Sequence, residues 1–144
     1  VNILTNHAYN NNVIKVFGGN QKRPNIHIKD MVRAYLEIIE ARNELIKDQV
    51  FNVGFENHKV KELAILVDDI FSNQLKVESF TTDDNRSYHI SSEKIKKILN
   101  FEPKYTISDA IKDLKFAFQN NLLQNSLNNP IYFNIEQLKK INLK

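Results

Sequence analysis

The sequence predicts a mixed α/β domain in which a small sheet is covered by helices. Short runs of β-branched and aromatic residues alternate with longer segments whose apolar residues recur every three or four positions. The chain has 144 residues, of which 42% are hydrophobic and 26% are charged. A domain of this length buries roughly 70% of the surface of its unfolded chain. A core of sufficient size can therefore form without disulfide bonds. The absence of cysteine excludes such bonds in this chain.

Four segments have the composition and the flanking residues of short strands. They are residues 13–17, 25–28, 50–53 and 76–80. Glycines follow the first and the third of these segments, and we expect both to lie in one sheet, with 76–80 as an edge strand. In the second segment, alternation places Ile26 and Ile28 on one face and Asn25 and His27 on the other.

Helical periodicity and capping residues define the remaining elements. The first eight residues have the pattern of the end of a helix, and longer helices are predicted over 31–43, 60–71 and 107–119. A shorter helix begins after Ser91 or Ser92 and ends at Asn100.

Two of these helices have specific predictions attached to them. For the helix over 31–43, Asp30 is the expected N-cap, and the apolar face that should meet the core is made of Val32, Tyr35, Leu36 and Ile39. For the last long helix, Thr106 and Asp109 have the spacing of a capping box. We divide the chain into a ligand-binding domain over 1–119 and an Asn-rich tail over 120–144 that contains a short helix at 135–141.

The sequence lacks the common catalytic and cofactor motifs. Its three glycines lie at positions 18, 19 and 54, so neither a Gly-x-Gly-x-x-Gly fingerprint nor a P-loop can be formed. No tyrosine is followed four positions later by a lysine, and the four histidines are far apart. We therefore expect no metal site and no catalytic residues within this chain.

Arginine is rare in this chain, which makes its positions informative. Four of the 20 basic residues are arginines, at positions 23, 33, 42 and 86. Arginine offers a planar fork that binds phosphate or carboxylate through two hydrogen bonds, and lysine does not. In an extended chain, Arg23, Asn25 and His27 would form a row suited to an anionic ligand, whereas Arg86 lies in the polar loop 81–88. The alternative is that Arg23 is a solvent-exposed residue of a turn and Arg86 is a solvent-exposed residue of a loop, with no ligand-binding role.

Four motifs resemble those of the extended short-chain dehydrogenase/reductases that act on nucleotide sugars. Residues 23–30 read RPNIHIKD after a strand ending in Phe-Gly, similar to the family's Arg-(Asp/Pro)-x-(Ile/Leu)-(His/Tyr)-Val-x-Asp. Residues 50–54, VFNVG, and 60–64, VKELA, are similar to its next strand and helix. Residues 83–95 and 99–107 resemble its later signature, which is a loop with Asp and Arg, then Ser-x-Lys-Ile, then Leu-Gly-(Trp/Phe)-x-Pro. The resemblance covers about residues 1–118, with the motifs in the same order.

The resemblance implies the C-terminal, substrate-binding portion of an NAD-dependent nucleotide-sugar epimerase or dehydratase. The Rossmann domain would lie outside this chain. Because the first residue is Val1 rather than Met, we expect a longer protein, whose N-terminal half carries the glycine fingerprint, the Tyr-Lys pair and bound NAD(P). This chain alone is expected to bind no cofactor and to be inactive. The alternative is a free-standing nucleotide-sugar-binding or regulatory module without catalysis.

The resemblance also implies specific substrate contacts. Arg23 and Arg86 would hold the diphosphate of a nucleotide-diphosphate sugar. Asn2 and Phe17 would lie near the nucleoside, Asp83 or Asp84 would meet the ribose hydroxyls, and His27 would contact the substrate. The alternatives are a core position for Phe17 and turn-forming roles for the aspartates. Asp30 and Asn52 are interpreted as a helix cap and a strand-end hydrogen bond.

One departure from the family pattern and two exclusions complete the prediction. Many members carry Arg-Pro-Gly-(Asp/His) where this sequence has TTDD at 81–84, so the phosphate role could fall on Arg86 alone. Lysines are scattered among acidic residues, so a nucleic-acid partner is not expected. No apolar run approaches the roughly 20 residues that span a bilayer. We expect a cytoplasmic protein without a membrane partner, whose full-length form is a homodimer.

Overall fold

The computed structural model describes residues 1–84 and 86–141, which form a mixed α/β fold and confirm the predicted fold class. The elements in chain order are α1 (Asn2–Asn11), β1 (Val13–Phe17), β2 (Lys22–Asn25), α2 (Ile28–Glu40), α3 (Asn43–Ile46), β3 (Glu56–Lys59), α4 (Val60–Ile70), β4 (Lys76–Phe80), α5 (Glu93–Leu99), α6 (Ile107–Gln119), a 3₁₀ turn (Pro130–Tyr132) and α7 (Asn134–Lys140). Among the described residues, no helix has the length and apolar character that crossing a bilayer requires.

The strands form two separate pairs. β1 and β4 run parallel, with Val13 opposite Lys76 and Phe17 opposite Phe80. β2 and β3 run antiparallel, with Arg23 opposite His58. Because partners in a ladder share a face, the second pair presents Arg23 and His58 on the same side.

The main core lies between α1, β1, α4 and α6. Its buried side chains are Leu4, Ala8, Ile14, Val16, Leu63, Ala64, Val67, Ile107 and Ile111. In β1 the buried residues alternate with exposed ones, as expected for a strand with one packed face. A smaller cluster of Ala34, Ile95 and Phe101 joins the inner side of α2 to α5.

The prediction of a strand over 50–53 in the sheet of β1 is wrong. This segment lies beside α2, and its backbone makes no backbone hydrogen bond with any described residue. The side chain of Asn52 likewise makes no hydrogen bond within the described part of the chain, so the expected strand-end bond is absent there. A strand needs a neighbouring edge, and β4 takes the place beside β1 instead.

The predicted cap of α2 is also wrong. The helix begins at Ile28, three residues earlier than expected. His27 is its N-cap, and His27 Nδ1 accepts a hydrogen bond from the Lys29 N–H at 3.1 Å. Asp30 lies inside the first turn and is fully buried. Its carboxylate accepts the backbone N–H groups of Lys104 and Tyr105 instead.

The apolar face assigned to the core of α2 is exposed in the structure. Val32, Tyr35, Leu36 and Ile39 face outward, whereas the helix packs through Ala34 and Ile38. The periodicity identified a coherent face, but no described residue covers it.

The caps of the two later helices follow the sequence more closely. Thr106 Oγ1 accepts the Asp109 N–H and Asp109 Oδ2 accepts the Thr106 N–H, which confirms the capping box of α6. Asn100 ends α5 in the left-handed conformation, with φ of 54°, as predicted. Ser92 precedes α5 but does not cap it with its side chain. Its Oγ instead accepts from the Gly54 N–H at 2.8 Å and donates to the Gly54 carbonyl at 2.9 Å.

Candidate functional site

A cluster of charged residues lies where the loop 81–88 meets strand β2. The Lys22 N–H donates to Ser87 Oγ at 2.9 Å, and the Tyr88 N–H donates to the Lys22 carbonyl at 3.0 Å. These bonds hold the loop along the edge of β2 that does not face β3. They bring Arg23 and Arg86 together, although the two residues are 63 positions apart in sequence.

Both guanidinium groups are directed at the carboxylate of Asp84. Arg86 binds it through two parallel hydrogen bonds, Nε to Oδ1 at 2.7 Å and Nη2 to Oδ2 at 3.0 Å. The Nη2 atom of Arg23 lies 3.6 Å from the same Oδ2. Arg23 is held in place by its own Nη1, which donates to the carbonyl groups of Lys22 and Arg86.

The two arginines differ in how firmly the fold holds them. The Arg23 side chain is 30% exposed and its guanidinium lies 5.4 Å from the centre of the Tyr88 ring. The Arg86 side chain is 72% exposed. The fold therefore holds the Arg23 side chain more firmly than the Arg86 side chain, which lies on the loop.

The electrostatics of the cluster keep the Asp84 carboxylate ionised between the two arginines. The hydrogen bonds from the Arg86 side chain are the largest cause that lowers the pKa of Asp84 to about 2, and burial opposes this shift. The same hydrogen bonds raise the pKa of Arg86 above its ordinary value. Two fixed guanidinium groups around one carboxylate leave one net positive charge, in a geometry that also suits phosphate oxygens.

A stacked aromatic pair lies close to the charged cluster. The rings of Phe17 and Phe80 are 5.1 Å apart at the carboxyl ends of β1 and β4, and Phe17 is 53% exposed. The core position considered for Phe17 is therefore wrong. Beyond Phe17, a cavity of about 250 Å³ is lined by Gly18, Asn20, Gln21 and Ser87.

Gly18 makes the close approach of the two loops possible. Its φ is +74°, and a Cβ at this position would lie 2.5 Å from the Thr82 side chain. The chain after β1 and the chain after β4 therefore meet at a point that only glycine fits. This contact places the aromatic pair and the arginine cluster at the same end of the domain.

The remaining predicted residues lie outside the cluster. Asp83 and Asn2 are exposed, and the side chain of neither forms a hydrogen bond or an ion pair with another described residue. His27 is 2% exposed; its Nδ1 caps α2, and its Nε2 is buried 3.4 Å from an Asp113 carboxylate oxygen. The expected row of Arg23, Asn25 and His27 is not formed, because the chain turns into α2 at Ile28.

Sequence reasoning missed three residues that shape the site: Ser87, Tyr88 and Phe80. Ser87 and Tyr88 attach the loop to β2, and Phe80 supports Phe17. The spacing of Asp84 and Arg86, two positions apart, could have indicated their pairing. Nothing local to Phe80 could have indicated its partner.

A second cavity, of about 460 Å³, lies between Gly54 and the start of α5. Two pairs of its polar groups are bonded to each other, Ser92 to Gly54 and Lys96 to Glu102 at 2.8 Å, and none of its lining residues is an arginine. We therefore place the candidate site at the arginine cluster.

The three glycines of this chain do not form the turn that dinucleotide cofactors use. Such cofactors need a glycine-rich turn between a strand and a helix. Gly18 and Gly19 instead connect β1 to β2, and Gly54 contacts Ser92.

Comparison with known proteins agrees with the two motifs at residues 23–30 and 50–54. Residues 1–54 match the model of the NAD dependent epimerase/dehydratase family. The resemblance to this family is confirmed.

Several solved structures share the fold of this chain. L-threonine dehydrogenase from Phytophthora infestans aligns with a TM-score of 0.73 and 12% identity, over 83% of this chain and 40% of that chain. UDP-glucuronic acid 4-epimerase from Bacillus cereus, solved with UDP-glucuronic acid and NAD, gives 0.71 and 17%, over 82% and 38%. dTDP-glucose 4,6-dehydratase from Bacillus anthracis, solved with NAD, gives 0.66 and 20%, over 83% and 38%. These identities show a common fold, and the chain spans about 40% of the length of the P. infestans structure.

Proposed function

We propose that this chain is the substrate-binding part of an NAD-dependent epimerase or dehydratase, and that Arg23 and Arg86 hold the diphosphate of a nucleotide sugar. In this proposal the Asp84 carboxylate occupies the position that a phosphate takes in the complex. The observation that carries the proposal is the convergence of the two guanidinium groups on one carboxylate.

The fold alone does not select this substrate, because an L-threonine dehydrogenase shares it. The arginine pair supports a diphosphate, since bidentate guanidinium groups match phosphate oxygens better than a lysine ammonium does. The epimerase solved with UDP-glucuronic acid is a relative in fold that binds such a substrate. In the proposed complex, Phe17 and Asn2 lie near the nucleoside and Asp83 or Asp84 meets the ribose.

In this proposal, the chain contributes to catalysis by binding the nucleotide sugar and orienting it. Binding energy from the diphosphate, far from the reacting carbon, can be used to position the sugar for reaction. NAD(P) would supply the transient hydride chemistry, and a part of the protein outside these 144 residues would bind it. This chain alone would turn over no nucleotide sugar.

The test measures binding of UDP to purified variants by isothermal titration calorimetry. Arg23→Ala and Arg86→Ala should each weaken binding at least about tenfold, because each removes charge-assisted hydrogen bonds to phosphate. The lysine variants should recover only part of the affinity, since an ammonium lacks the fork. Arg42→Ala is the matched control, because Arg42 is exposed at the start of α3, distant from the loop 81–88 in sequence.

The result that would contradict the proposal is equal behaviour of the three alanine variants. If Arg23→Ala, Arg86→Ala and Arg42→Ala change UDP affinity alike, general charge rather than a shaped site binds the nucleotide. Loss of binding in Arg23→Ala alone would restrict the phosphate role to that residue.

A further inference from the structure

The Asp84 carboxylate uses the same donors that the proposed function assigns to a diphosphate. Arg86 Nε and Nη2 donate to its two oxygens at 2.7 and 3.0 Å, and Arg23 Nη2 lies 3.6 Å from Oδ2. The pKa of Asp84, about 2, keeps this carboxylate charged at neutral pH. A short, linear hydrogen bond leaves no room for a second acceptor at the same N–H group. A phosphate oxygen can therefore take these positions only after the carboxylate leaves them.

Asp84 lies between two contacts that hold the loop 81–88 to the rest of the domain. Before it, Thr82 lies so close to Gly18 that a Cβ on the glycine would be 2.5 Å from the Thr82 side chain. After it, Ser87 Oγ accepts the Lys22 N–H at 2.9 Å. The Asp84 side chain takes part in neither contact. It can therefore turn away from the two arginines while both contacts stay in place.

A ligand can reach this ion pair from solvent. The Asp84 side chain is 41% exposed and the Arg86 side chain is 72% exposed. The cavity of about 250 Å³ that Ser87 lines adjoins the same loop. Ion pairs between exposed side chains contribute little free energy, so a ligand with several charges can displace one. The exchange of one anion for another then needs no opening of the core.

We propose that Asp84 is an internal competitor for the anion site: its carboxylate binds the two arginines, and a diphosphate must displace it to bind. This inference rests on the proposed function, because it takes the arginines to be the groups that bind the phosphates. Asp84 then sets the affinity of the site, since each ligand that binds through the arginines must first break the same contacts. Removing its charge should therefore tighten the binding of such ligands.

The test measures binding of pyrophosphate by isothermal titration calorimetry, because pyrophosphate has no ribose that Asp84 could contact. Asp84→Asn keeps the size of the side chain and removes its charge. We expect this variant to bind pyrophosphate at least about threefold more tightly than the unmodified chain, the order of effect when an exposed ion pair stops competing. Asp83→Asn is the matched control. It removes the same charge one position away, from an exposed side chain that forms no ion pair with another described residue.

A second measurement follows the carboxylate itself. The ¹³Cγ resonance of Asp84 is compared in the free protein, in the protein saturated with pyrophosphate and in Arg86→Ala. The alanine variant gives the reference position, because it removes both side-chain hydrogen bonds from Arg86 to the carboxylate. Saturation should move the resonance toward that position, since a displaced carboxylate loses the same bonds.

Three results would overturn this proposal. One is pyrophosphate binding that Asp84→Asn leaves unchanged or weakens. Another is an equal gain in Asp83→Asn, which would assign the effect to the general charge of the loop. The third is an Asp84 resonance that pyrophosphate does not move, which would make the pair with Arg86 a fixed part of the loop.

The Arg23→Ala variant separates failure of this inference from failure of the proposed function. If Arg23→Ala binds pyrophosphate as tightly as the unmodified chain, the proposed function fails at that residue. If Arg23→Ala binds it more weakly while Asp84→Asn has no effect, the arginine binds phosphate and only the competition by Asp84 is absent.

Discussion

Replacing Asp30 with alanine tests whether the aspartate of the RPNIHIKD segment is structural. Its side chain is fully buried. Oδ2 accepts the N–H groups of Lys104 at 2.9 Å and Tyr105 at 2.8 Å, and Oδ1 accepts from Arg33 Nη1 at 2.5 Å. Alanine leaves two backbone donors without an acceptor, and a buried donor left unsatisfied costs about 1–3 kcal/mol. Because Lys104 is exposed and water can reach it, we expect a total loss of about 2–4 kcal/mol.

Urea unfolding followed by circular dichroism measures this loss directly. In thermal unfolding of a domain of this size, each kcal/mol lowers the melting temperature by about 2–4 °C, so a fall of about 4–16 °C is expected. Asp30→Asn should cost less, because its amide oxygen can still accept one or both N–H groups. Asp83→Ala is the control, since this exposed side chain makes no hydrogen bond with another described residue.

The reasoning would be refuted if Asp30→Ala and Asp83→Ala were equally stable. It would also be refuted if Asp30→Ala left stability unchanged and weakened UDP binding, because the residue would then contact ligand rather than hold the loop at Lys104. A loss of stability without a specific loss of affinity is the expected outcome.

Three further predictions follow from contacts described above. Arg86→Ala should raise the pKa of Asp84 from about 2 toward its ordinary value, as measured by NMR titration. The sign follows from the lowered pKa: the ion pair stabilises the fold above about pH 4 and loses this effect as the pH falls toward 2. Ile111→Ala should destabilise the fold by about 2–5 kcal/mol, because Ile111 is fully buried in the main core. Ser92→Ala should lower the unfolding free energy by about 1–3 kcal/mol, as measured in urea, because it removes both bonds to Gly54.

Elements whose signals are local were predictable from the sequence. The bounds of β1 and β4 agree with the prediction, and α6 begins at its predicted capping box. These features depend on residues within a few positions of each other, so the sequence contains the necessary information. By contrast, the 50–53 segment has a strand composition that only a partner edge can turn into a strand.

Burial could not be predicted where it depends on what lies opposite. The periodicity of α2 correctly identified an apolar face, yet that face is exposed while Ala34 packs inward. The position of the two arginines likewise depends on contacts between distant parts of the chain. Spacing alone could not place Arg23 beside Arg86, because the path of the loop 81–88 is set by contacts with Lys22, far away in sequence. The resemblance to a family supplied that pairing, and it missed the supporting roles of Ser87 and Phe80.

The parallel pairing of β1 with β4 also sets an order of events in folding. The paired residues Val13 and Lys76 are 63 positions apart. The free energy gained by the pairing must therefore offset the entropy lost on closing a long loop. Contacts between such distant residues slow folding. During synthesis, β1 therefore leaves the ribosome well before its partner and remains a free strand edge. Products that terminate before Lys76 would keep that edge exposed, and an unpaired edge of this kind promotes aggregation.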